Sequence, residues 1–82
     1  MEDRNRNLQA ALHEIERLMA AAEQSGTSVP AWFAQLATEL RAEAPSGGEI
    51  RPDLAERILS DPRLSLGAQA NLRPVALRAL KG

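Results

Sequence analysis

Apolar residues recur at three- and four-residue steps through the first half of the chain. Leu8, Ala11, Leu12, Ile15, Leu18, Met19 and Ala22 form one series; Val29, Trp32, Phe33, Leu36, Ala37 and Leu40 form a second. Such spacing places each series along one stripe of an α-helix, and an apolar stripe must be buried against something. The first series predicts a helix from about Asp3 to Gln24, with Gln9, Glu16 and Glu23 on the opposite face. Asp3 is placed to accept a hydrogen bond from a free backbone N–H at its start. Ser25-Gly26 stops it, with Gly26 in the left-handed cap conformation. The same stripe fits an a/d heptad over about two heptads, enough for the seam of a hairpin or a dimer.

The second series predicts a helix that begins near Ser28 and Pro30 and ends at Ala44. Ser28 is a good N-cap, and proline is tolerated in a first turn because its missing N–H would have no partner there. The short joint between the two helices favours antiparallel neighbours, so residues 3–44 read as a helical hairpin. Pro45-Ser46-Gly47-Gly48 reads as a flexible linker over residues 45–49. A third, short helix is expected from about Pro52 to Ser60, with Ile50, Leu54, Ala55, Ile58 and Leu59 on its apolar face. Asp61 precedes a proline and is pushed out of the helical region, which ends it. Beyond this point Leu64, Leu66, Leu72, Val75, Leu77 and Leu80 show no clean period, and Gly67 and Pro74 punctuate them. One or two short helices, roughly 63–72 and 74–80, compete with a tail that orders only on a partner.

The fold class expected is therefore all-α: a helical hairpin plus one or two short C-terminal helices in a single small bundle of 82 residues. Composition agrees. Ala and Leu make up about a third of the chain, β-branched residues are few, and nothing alternates with period two. No apolar run approaches the roughly 20 residues that a membrane span needs. The opening residues lack a basic-then-apolar signal layout, so a cytoplasmic location is expected. Nine of the ten basic residues are Arg, which fits a GC-rich bacterial or phage genome.

Candidate chemistry is sparse. There is no Cys and a single His, which excludes disulfides, thiolate metal sites and multi-His sites, and no cofactor is expected. His13 lies off the apolar stripe with no nucleophile in view, and a solvated helix residue is the expectation. Ser46-Gly47-Gly48 lacks the Lys and the Ser/Thr of a phosphate loop. Glu14 and Glu16, like Glu39 and Glu43, read as solvated surface, the second pair mildly repulsive at four-residue spacing unless compensated. Neither catalysis nor a small-molecule substrate is expected.

What remains is binding. A chain this short buries a modest fraction of its surface and commonly gains stability by association. The expected function is a protein-binding regulator, adaptor or inhibitor, self-associating as a homodimer because one hairpin cannot cover both of its stripes. Leu8, Leu12, Ile15, Met19, Trp32 and Phe33 are the candidate contacts. Trp32 and Phe33 read first as hairpin core and second as a binding hot spot; adjacent positions diverge by about 100°, so one can serve the core and the other a partner. Charge suggests a second class. Residues 1–49 carry a net −4 and residues 50–82 a net +3, and no acid follows Asp61. Arg63, Arg73, Arg78 and Lys81 could meet nucleic acid phosphates, with the helices on either side of Asp61-Pro62 imitating a helix-turn-helix. Four cations without an aromatic partner are few for that task. The alternative is that the basic tail packs on the acidic front, within one chain or across a dimer.

Overall fold

Four helices account for the periodic segments. The computed structural model describes residues 2–62 and 64–81; Met1, Arg63 and Gly82 lie outside them. The helices are α1 (Glu2–Ser25), α2 (Ala31–Glu43), α3 (Pro52–Ser60) and α4 (Leu66–Lys81). No strand occurs among the described residues.

α1 ends as its sequence dictates. Gly26 has φ +74°, and the N–H of Thr27 donates to the carbonyl of Ala22 at 2.9 Å, closing the last turn. Its start is at Glu2; the side chain of Asp3, expected to cap it, lies outside what is described. α2 begins later than expected. Pro30, at φ −58° and ψ 147°, is the last extended residue before the helix, and no side chain caps it. Ser28 therefore does not serve as N-cap. Arg41 of α2 donates to Glu16 of α1 at 3.0 Å, and the two residues are equally far from the intervening turn. The pair is thus an antiparallel hairpin, as the short joint requires.

The segment that reads as a linker is a closed turn. The N–H groups of Ser46, Gly47 and Gly48 all point at the carbonyl of Glu43, and Gly47 turns the chain at φ +70°. A Cβ on Gly48 would run into the Glu43 carboxyl group, so the chain passes closest to α2 where it has no side chain. Ile50, just beyond, is buried. α3 occupies the expected residues. Arg51 precedes it in extended geometry, Pro52 starts it, and Asp61 leaves the helix at ψ 116° before Pro62.

The largest departure from expectation is α4. It is one continuous helix with Pro74 inside it, not two short ones. Ser65 caps it: its hydroxyl accepts the N–H of Ala68 at 3.2 Å and its carbonyl accepts that of Gln69 at 2.9 Å. Proline in a helix interior forfeits a hydrogen bond and clashes with the preceding turn, at about 3 kcal/mol. Pro74 is exposed, so the Ala70 carbonyl it fails to serve lies on the watery side. Leu72, Val75, Ala76 and Ala79 are buried around it, and their burial offsets the loss.

α1 and α4 form the centre, with α2 packed on α1 and α3 packed on α4. The Gln69 amide donates to the Ile58 carbonyl at 2.7 Å and ties α4 to α3. A single core runs through all four helices, with Ile15, Leu36, Leu40, Leu54, Ile58 and Leu72 fully buried. Ala11, Ala55, Ala68 and Ala76 are also fully buried, and their small side chains let the helix axes approach closely. The radius of gyration is 11.9 Å, close to the roughly 12 Å of a compact chain of this length.

Candidate functional site

The apolar stripes of the hairpin are largely spent on the chain's own core. Leu8 and Ile15 are buried, and Leu12 and Met19 are half-buried against the same core. Trp32 and Phe33 are both buried, their rings edge to face with centroids 4.7 Å apart. They do not divide between core and surface. The α1 stripe finds cover inside the chain, from α2 on one side and α4 on the other.

The exposed apolar side chains lie elsewhere. Leu66 is 91 % exposed, Leu77 47 % and Leu80 40 %, all on α4. With Ala70 and Arg73, also exposed, they fall within roughly 80° of one another around the helix axis. Leu66, Ala70 and Leu77 lie on the side away from Leu72, Val75 and Ala79, and Leu80 stands at the edge of the face, about 40° from buried Ala76. This outer face is the largest unsatisfied apolar feature among the described residues. The sequence reading missed it because Leu66, Leu77 and Leu80 were pooled with buried leucines.

The cations of the C-terminal part are dispersed. Arg73 and Lys81 are exposed. Arg78 is half-buried, with Nε 3.9 Å from a carboxylate oxygen of Glu49. The Arg78 Nε makes no hydrogen bond. Arg63 lies outside the described residues. One part of the expected internal pairing is thus present: Arg78 of the basic tail faces Glu49 of the acidic front.

Three carboxylates read as solvated are engaged, Glu16 through Arg41 of α2. Glu14 is 5 % exposed, because it lies on the flank of the α1 stripe beside Ala11 where α4 passes. It pairs with Arg17 on its own helix and accepts the Asn71 amide of α4 at 2.9 Å. Glu39 takes both the Arg51 guanidinium at 2.7 Å and the Arg51 backbone N–H at 3.0 Å, which supplies the compensation its spacing from Glu43 required. His13 is exposed.

The Glu14–Asn71 contact is a part-buried polar bond between the two central helices. Glu14→Ala removes it and is expected to lower stability by about 1–3 kcal/mol. Glu14→Gln keeps the oxygen that Asn71 bonds and should recover most of that loss. Urea midpoints of the two variants measure the difference; equal losses would show that the bond to Asn71 contributes nothing.

Among the described residues no group of three or more His, Asp or Glu side chains converges as a metal site. A cleft lined by Asn7, Leu8, Glu49, Pro74, Val75 and Arg78 encloses about 10 Å³, room for about one water. A second depression, at Arg57, Ser60, Asp61 and Pro62, is open to solvent. Among the described residues no helix is long and apolar enough to cross a membrane. No protein-family model matches the chain, and comparisons with curated proteins and with solved structures also give no match.

Proposed function

We propose that this chain is a small protein-binding module, an adaptor, regulator or inhibitor, and that it meets its partner through the outer face of α4. The observation that carries this reading is the exposure of Leu66, Leu77 and Leu80 on one side of a helix whose other side is fully committed to the core. Large apolar side chains aligned along one face mark an interaction surface more strongly than the same residues scattered singly. A row of leucines along an outward helix face suits a macromolecule rather than a small ligand. A nucleic-acid reading has less support. The outward side of α4 is led by leucine rather than by polar groups that could read base edges, and Arg78 is turned towards Glu49.

The test compares the native chain with a Leu66→Ser/Leu77→Ser/Leu80→Ser variant as baits in extract from the source cell. Circular dichroism should show the same helix content for both, because the three side chains are outside the core. The expected result is one protein retained in stoichiometric amount by the native chain and lost by the variant. Equal retention by both would remove the α4 face from consideration.

A further inference from the structure

Leu66, Ala70, Arg73, Leu77 and Leu80 are separated by steps of four, three, four and three residues. That is the spacing of a coiled-coil seam, which keeps a second helix in register over the whole length of the first. The stretch spans about 21 Å, or roughly four turns. α4 carries no acid at all. Arg73 stands in the middle of the seam and Lys81 at its end, and among the described residues neither has an ion-pair partner.

We infer that the outer face of α4 docks an acidic amphipathic helix of a different protein, with leucine stripe against apolar stripe and carboxylates set against Arg73 and Lys81. The inference rests on the protein-binding reading above and narrows it to a class of partner. Charge selects that class. Arg73 is the midpoint between Leu66 and Leu80, so an antiparallel pair of α4 helices sets Arg73 against Arg73. A parallel pair does the same and adds Lys81 against Lys81. Either way a second copy brings like charges into the centre of an apolar seam, where they are costly. An acidic helix turns the same positions into attraction and into a steering field for encounter.

Size complementarity narrows the partner further. Ala70 leaves a low point between Leu66 and Arg73, whereas Leu77 and Leu80 stand together at the far end. A fitting helix carries a large apolar residue opposite Ala70 and smaller ones opposite Leu77 and Leu80. Pro74 has no N–H for the Ala70 carbonyl, so a partner side chain with a hydrogen-bond donor gains a bond there. An anionic membrane is a poorer match. The chain has a net charge of −1, and two exposed cations on this face are few beside the clusters of about 4–8 that membrane-binding segments use.

The experiment titrates the full chain into fluorescein-labelled helical peptides about three heptads long. One has Leu at a and d with Glu at e and g; its twin has Lys in place of Glu; phosphatidylglycerol vesicles are the third probe. Like charges keep each peptide from pairing with itself. The inference expects the Glu peptide to bind at least tenfold more tightly than the Lys peptide, with affinity falling as salt rises. The double substitution Arg73→Glu/Lys81→Glu should invert the preference. Equal binding of both peptides, lost in the triple Ser variant, would overturn the acidic class while leaving α4 as a protein-binding face. Vesicle binding with neither peptide bound would overturn both readings, as would no binding to any probe.

Discussion

Replacing Trp32 with Ala is expected to lower the unfolding free energy by about 3–5 kcal/mol. A chain of 82 residues has roughly 4–12 kcal/mol in total, so the variant loses a large fraction of its stability. The size of the loss follows from the geometry. Trp32 is buried among the core residues of α2, and its ring meets Phe33 edge to face at an interplanar angle of 76°. Such a pair contributes about 0.5–1.5 kcal/mol beyond its buried area. Trp32→Phe should lose much less than Ala. The Trp32 Nε1 is buried without a hydrogen-bond partner, and phenylalanine removes that unsatisfied donor along with some volume. Because Trp32 is the only tryptophan, its fluorescence reports the native chain directly, and circular dichroism reports all three proteins. A loss below about 1 kcal/mol for Trp32→Ala would contradict its burial.

Leu72→Ala is expected to cost about 2–5 kcal/mol, and Leu77→Ala, five residues further along the same helix, less than about 0.5 kcal/mol. Leu72 is fully buried at the centre of α4, where the helix packs on both α1 and α3. Leu77 is half exposed on the opposite face. Thermal or urea unfolding of the two variants measures the contrast. It also tests the continuity of α4. If the chain broke at Pro74 into two short helices, the facing of Leu77 would no longer be tied to that of Leu72. Similar losses at both positions would then be the outcome.

Most of the fold is legible in the sequence wherever one physical signal dominates. The α1 stripe, its Gly26 stop and the Pro52 start of α3 each rest on a single local rule, and each holds. The C-terminal third is harder for a definite reason. Its leucines lie on two opposite faces of one helix: Leu72 points inward, and Leu66, Leu77 and Leu80 point outward. Pooled, they have no helical period. The buried face is completed instead by Ala68, Ala76 and Ala79, which hydropathy patterns weight lightly. Pro74 then reads as a break, although on the exposed side it is tolerated. The outer face of α4 is hidden from the pattern for the same reason. The stripe of Leu8 and Ile15 shows its need for cover, but the helix that faces it, α4, does not stand out as a single element. Glu14 was missed because only the passage of α4 beside it distinguishes it from an ordinary surface acid.

The packing order has a consequence for how the protein is made. α1 is made before the other three helices, yet it shares its inner face with α4, which follows α2 by more than twenty residues. At roughly 5–20 residues per second, α1 and α2 wait about 2–8 s for residues 44–81 to be synthesised. During that interval the α4-facing side of Leu8, Ala11 and Ile15 stands open on a nascent hairpin. A chain halted before α4 keeps that side open to proteases, and a slow stretch of codons there would lengthen the demand on holding chaperones without altering the finished molecule.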